Sequence, residues 1–155
     1  METQRGTGYF LEIDTVTPIT EDRGNPADYK LVACTTGDNL DIAVAAETTS
    51  NKCSDGNQES QPGELSWTMS TDGQVVTLDP TEQTTRENNQ TLKNLTKNKT
   101  VFWARRTNAL DTEAGYAEGR VWISGYNDAA PNNDVFTFNA TFQGTGEFFT
   151  EPATT

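Results

Sequence analysis

The segment Val135–Phe142, VFTFNATF, alternates without a break, with Phe136, Phe138, Ala140 and Phe142 on one side of an extended chain and Val135, Thr137, Asn139 and Thr141 on the other. A helix, repeating every 3.6 residues, would scatter these side chains around its axis. A strand gathers them into one apolar and one polar face. The same period of two recurs along the chain. Tyr9–Val16 sets Tyr9, Leu11 and Ile13 against Phe10, Glu12 and Asp14, as in a strand near a sheet edge. In 40–46, Leu40, Ile42 and Val44 form a face to be buried, opposite Asp41, Ala43 and Ala45. In 64–70, Leu65, Trp67 and Met69 point inward while Glu64, Ser66, Thr68 and Ser70 point out.

Tyr29–Thr35, Gln74–Leu78, Thr100–Thr107 and Ala117–Tyr126 read as further strands. Gly37-Asp38-Asn39 is the turn expected to close the second strand, and Asp72-Gly73 the hairpin turn joining 64–70 to 74–78. One helix is predicted over Arg86–Lys99, with Leu92 and Leu95 one turn apart and its lysines late, where cations suit the helix dipole. Residues 47–63 have no apolar periodicity and read as a long polar loop; a polar, Gly- and Thr-rich tail is expected from Gln143 onward. The expected fold is a single mainly β domain over 1–155. Its architecture is an antiparallel β-sandwich or curled barrel with one short flanking α-helix.

Leu, Ile, Val and Phe make up only about a sixth of the chain, a share at which acidic sequences tend toward disorder. Fourteen aromatic residues and the alternating runs argue for a folded domain with a small core. Such a domain gains much by burying further surface against copies of itself.

The chain contains no His, which excludes Ser-His-Asp triads, Cys-His dyads and His-ligated zinc. A net charge of -12 opposes a surface built to neutralise phosphates. The carboxylates read as solvated charges, because none sits in an apolar stretch that would raise its pKa for acid catalysis. Asp55-Gly56-Asn57-Gln58-Glu59 has the alternating oxygens of part of a calcium loop but lacks the distal glutamate, so it reads as a turn. Cys34 and Cys53 are expected to be free thiols, and no cofactor, metal or catalytic residue is expected. Arg105, Arg106 and Arg120 are expected to form ion pairs, within the chain or between subunits. Trp67, Trp103 and Trp122 fall within strand patterns, where core packing is the ordinary role. The start lacks the pattern of a secretion signal and no apolar run approaches a membrane span, so a soluble protein made in a cytoplasm and without membrane partners is expected.

The order of elements resembles that of the major tail proteins, or tail tube proteins, of long-tailed, siphovirus-type bacteriophages. The likeness covers nearly the whole chain. It runs from an N-terminal strand through LDIAVAAE into a long polar loop, back through PGELSWTMSTDGQVVTLD, and by a short helix into TVFWARR. It ends on AEGRVWISGYNDAAPNNDVFTFNATFQGTGEF, whose F-x-G-T-G close, Phe142–Gly146, is its most specific part.

What the resemblance implies is a structural virion protein and no enzyme. Its subunits assemble into hexameric rings that stack into a tail tube around the tape-measure protein. The tube is a negatively charged conduit through which DNA later passes without specific binding. Further implied partners are the chain itself and the tail terminator and distal tail proteins; the implied location is the virion tail, and the host cytoplasm during assembly.

If the strands over 40–46 and 64–70 line the tube, alternation turns Asp41, Ala43, Glu47, Glu64, Ser66 and Thr68 toward the channel, with Thr137, Asn139 and Thr141 as second candidates. The loop, through Thr48, Asn51, Lys52, Asp55, Asn57 and Glu59, would reach the next ring, and 147–155 would act as a C-terminal arm. The alternative class is an extracellular β-sandwich adhesin, carbohydrate-binding or phage decoration module. A Trp-dependent hit on a glycan array would favour it.

Overall fold

The computed structural model describes residues 9–48, 57, 59–108 and 115–152. Its strands are β1 (Tyr9–Asp14), β2 (Lys30–Val32), β3 (Thr35–Thr48), β4 (Ser60–Gln74), β5 (Arg86–Glu87), β6 (Phe102–Asn108), β7 (Ala117–Ala129) and β8 (Thr137–Phe149), with helix α1 (Asn89–Lys97) between β5 and β6. They form one mixed, unclosed sheet in the order β3-β4-β8-β7-β6-β1-β2-β5. Every ladder is antiparallel except β2 with β5.

The mainly β architecture with one flanking helix is as expected. The core side of the sheet collects the apolar halves of the alternating runs. Phe138, Ala140 and Phe142 from β8, Val121 and Ile123 from β7, Trp67 and Met69 from β4, and Leu11 and Ile13 from β1 are all buried. Helix α1 starts at Asn88, whose side chain accepts from the Gln90 N–H at 3.1 Å, and it buries Leu92 completely in this core. The opposite side is covered over β1, β6 and the start of β7 by the connection 15–29. Trp103 Nε1 donates to the Pro18 carbonyl at 3.3 Å there, and Arg120 Nη1 to that of Ile19 at 3.3 Å.

Several local expectations are corrected. Asp72-Gly73 is no hairpin turn: both residues lie inside β4, which runs on to Gln74, and 75–79 is not a strand. Gly73 is needed there for room, since a Cβ would meet the Phe138 ring and the Cys34 carbonyl oxygen. The second strand closes at Ala33-Cys34, where Cys34 takes φ 56°, while Gly37-Asp38-Asn39 continues β3 past an irregularity between Thr35 and Gly37. The 47–63 loop begins and ends as ladder, with Glu47 opposite Gln61 and Thr48 opposite Ser60. The tail expected from Gln143 is strand as far as Phe149. The helix is shorter than predicted, because Arg86 and Glu87 pair with β2.

Of the inward face expected of 40–46, Leu40 packs against the core, but Ile42 and Val44, and with them Leu65, are each about half exposed. β4 is paired with β8 only from Thr68 to Gln74. Beyond Thr68, β3 and β4 continue as a two-stranded arm, and the core that buries Trp67 and Met69 ends beneath them.

Candidate functional site: a polar sheet face without cations

Strand registers assemble the sheet face opposite the core over β3, β4, β8 and the second half of β7. Asp41 pairs with Thr68, Thr68 with Gln143, and Gln143 with Trp122, making one row across four strands. Below it run Asn39, Ser70, Thr141 and Gly125, then Gly37, Asp72, Asn139 and Asn127. Directly paired residues share a face, so these rows form one continuous polar surface.

Asp41, Ala43, Ser66, Thr68, Thr137, Asn139 and Thr141, predicted in two separate groups, therefore lie together. All are exposed except Thr68, which is partly covered. Glu47 lies beyond a register shift between Val44 and Ala46 and accepts from Gln61 Nε2 at 3.4 Å; Glu64 falls within the shifted stretch and is exposed. Asp72 and Asn127 belong to the same surface and escaped the sequence reading, because Asp72 reads as a turn residue and the strand predicted over Ala117–Tyr126 ends one residue before Asn127.

The segments 35–48, 60–74, 121–129 and 137–149 contain no Lys or Arg. The cations sit elsewhere. Arg105 pairs with Glu12 at 2.9 Å and lies 4.2 Å over the Tyr29 ring, and Arg106 donates to the Gly115 carbonyl at 3.3 Å. Arg120 lies under the 15–29 connection, 6.0 Å from the Trp103 ring. Arg105 thus has its partner within the chain, while Arg106 and Arg120 are held by backbone carbonyls and aromatic rings.

Of the loop residues, Asn57 and Glu59 are exposed, and Thr48 ends β3. Asn51, Lys52, Asp55 and Cys53 lie outside the described residues, as does most of the calcium-like stretch; Cys34 is an exposed free thiol. Of 147–155, Glu147–Phe149 complete β8 and the Glu151 carbonyl accepts from Arg23 Nη2, while 153–155 lie outside the described residues.

Among the described residues two carboxylates, expected to be solvated, are buried. Asp14 is buried and accepts from the Val16 and Thr17 N–H groups at 2.9 and 3.0 Å. Glu118, 2% exposed, accepts from Arg23 Nε at 2.5 Å and from the Tyr29 hydroxyl at 2.6 Å. Burial first, then this hydrogen bond, raises the Tyr29 phenol far above its ordinary range. Glu118 therefore ties the 15–29 connection to β7. Near the start of β3, burial also pushes the Asp38 carboxyl up, against the hydrogen bond it accepts from Thr71 at 2.8 Å. Asp38 lines a cavity of about 450 Å³ with Tyr9, Phe10 and Arg106. Trp122, read as core, is 41% exposed on the polar face.

No protein-family model and no curated protein matches the sequence. Solved structures do match. A chain in the tail of an empty gene transfer agent particle, refined with C6 symmetry, superposes with a TM-score of 0.69 at 13% identity over 95% of this chain and 98% of that one. A chain of the native gene transfer agent virion gives 0.68 at 13% identity over 94% and 97%. The SPP1 tail tube gives 0.64 at 10% identity over 92% and 76%. The chain has the fold of these tail and tail-tube subunits.

Proposed function

We propose that this chain is a structural subunit of a viral tail tube. It polymerises as stacked rings, six subunits to a ring, around a tape-measure protein and later conducts DNA. The observation that carries the reading is the polar face on β3, β4, β8 and β7, which holds Asp41 and Asp72 as charges and no cation. Duplex DNA carries about one negative charge per 1.7 Å of axis, so a Lys or Arg lining would hold it by counterion release. A wet surface of Thr, Asn and Ser with scattered carboxylates repels the phosphates and lets them pass.

The fold shared with tail subunits supports the same role, and the C6 symmetry of one such tail supports six subunits. The β3–β4 arm, with its exposed apolar stripe, is the part that reaches the next ring. The terminator and distal tail proteins close the two ends of the tube. Assembly takes place in the host cytoplasm and the product is the virion tail.

The test is negative-stain microscopy of the purified chain across a concentration series, alone and with its tape-measure and initiator proteins. Rings or tubes are expected. A monomer under all of these conditions overturns the reading.

A further inference from the structure

The motif Phe142-Gln143-Gly144-Thr145-Gly146 lies beside the root of the β3–β4 arm and is built around one residue of that root, Trp67. β4 and β8 pair from Gln74 as far as Thr68 opposite Gln143, so Trp67 is the first residue of β4 past the ladder. It is 3% exposed. Its ladder partner Ile42, and Leu65, its neighbour on the same face of β4, are both about half exposed. Among the described residues, Trp67 is therefore the last side chain of the arm's apolar stripe that the body of the subunit holds.

The body holds it from three directions. Gly144 and Gly119 form a floor: a Cβ on Gly144 would stand inside the indole, and one on Gly119 would meet its Cζ2 atom. The Phe148 ring closes one side, 4.9 Å from the indole and tilted 42° to it. Gln143 holds the backbone, its Nε2 donating to the Trp67 carbonyl at 3.3 Å and to the Gly144 carbonyl at 3.3 Å. That side-chain bond carries the link between β4 and β8 one residue past the ladder.

Gly146 shapes the same place. The β7–β8 register shifts between Gly119, opposite Phe148, and Arg120, opposite Thr145, leaving Gly146 and Glu147 between them. Gly146 takes φ 75°, in the left-handed region that glycine enters freely, and the bulge sets Phe148 against Gly119 beside the indole. A two-stranded ribbon twists strongly and is marginal by itself, so packing at its root decides where it points.

We propose that Trp67 is the positioning residue of the arm, and that Gly119, Gln143, Gly144 and Phe148 form the socket that fixes the direction in which the arm leaves the body. The consequence for assembly rests on the tube reading, in which the arm reaches the next ring. The direction itself is a property of the single subunit. Subunits whose arm points correctly are the competent fraction, and apparent affinity for the next ring falls in proportion to it.

The full chain with Cys34→Ser and Cys53→Ser receives spin labels at Ser60→Cys on the arm and Lys97→Cys on α1, both exposed positions. Their separation is measured by pulsed electron resonance on dilute subunit. One narrow distance is expected. Trp67→Leu should broaden it by emptying the socket, and Gly144→Ala by displacing the indole. Trp67→Phe combined with Gly144→Ala should restore it, because the smaller ring leaves room for the methyl group. Trp67 Nε1 has no acceptor, so none of these changes breaks a hydrogen bond of the indole.

An unchanged narrow distance in Trp67→Leu overturns the proposal and leaves Trp67 as core packing. If Gly144→Ala does not fold, Trp67→Phe alone takes its place, and a distance as narrow as in the intact chain overturns the socket in the same way. Assembly is read on unlabelled chains by negative-stain microscopy across a concentration series. With the arm correctly directed in about a tenth of the molecules, the threshold for tubes is expected to rise about tenfold. A broadened distance with an unchanged threshold overturns the role in assembly. Failure of the unmodified chain to assemble overturns the tube reading, while the distance measurement still decides the socket.

Discussion

Glu118 shows how one buried charge organises a part of this protein that has little apolar surface to spend. Its carboxylate is matched by Arg23 and by the Tyr29 hydroxyl, and Arg23 also lies 4.2 Å over the Phe149 ring. The 15–29 connection and the end of β8 therefore meet at one guanidinium. Tyr29→Phe leaves one carboxylate oxygen without its donor and is expected to cost about 1–3 kcal/mol, read by denaturant unfolding at pH 7. The same residue predicts alkaline behaviour. Its folded phenol keeps a proton that the unfolded chain releases above pH 10, the ordinary value. The folded state then binds more protons, so stability falls as pH rises through that region. Tyr29→Phe should flatten part of the fall, and Tyr116, raised by burial first and by the Glu118 charge, should keep the rest. A second residue-scale test concerns Trp67, whose ring lies 4.9 Å from that of Phe148 and occupies the place where a Cβ on Gly144 would stand. Gly144→Ala is expected to destabilise by about 1–3 kcal/mol through overpacking, checked by thermal melting.

The elements divide into those the core holds and those it does not. α1 is held by Leu92, so Leu92→Ala should cost about 2–5 kcal/mol in denaturant unfolding. Beyond Trp67, which the core buries, the β3–β4 arm pairs with no third strand among the described residues. Ile42→Ser with Val44→Ser removes exposed side chains and should leave subunit unfolding within about 0.5 kcal/mol of wild type. If the arm joins rings, the same double variant should abolish tubes in negative-stain images while keeping the subunit's circular dichroism. Normal tubes would place the ring-to-ring contact elsewhere.

The whole molecule separates charge by surface. Among the described residues the cations lie on the 15–29 connection, on β2 and β5, on the helix and just after it, and on β6 and the start of β7, and the polar face over β3, β4 and β8 has carboxylates as its only charges. Asp41→Lys with Asp72→Lys should leave tubes intact but slow DNA ejection, most strongly at low salt, where the Debye length is about 30 Å at 0.01 M. Ejection kinetics measured at two ionic strengths check this, and equal rates for variant and wild type at low salt would remove the face from the channel.

Hydrophobic period marked out most of the strands, the buried Phe138-Ala140-Phe142 face and, with its late lysines, the helix around Leu92, because period and burial are local consequences of backbone geometry. The missing His and the acidity likewise bounded the chemistry before any fold was known. Where strands end was not local. Asp72-Gly73 has the composition of a turn, yet it stays extended because β8 pairs along it and Phe138 fills the space beside Gly73. Ile42 and Val44 carry the same pattern as buried residues, and their exposure follows from where β8 stops pairing with β4. The polar face itself, joining Asp41 to Trp122 across four strands, exists only through the registers of three ladders. Register depends on partners distant in sequence, and that is why only the tertiary structure decided it.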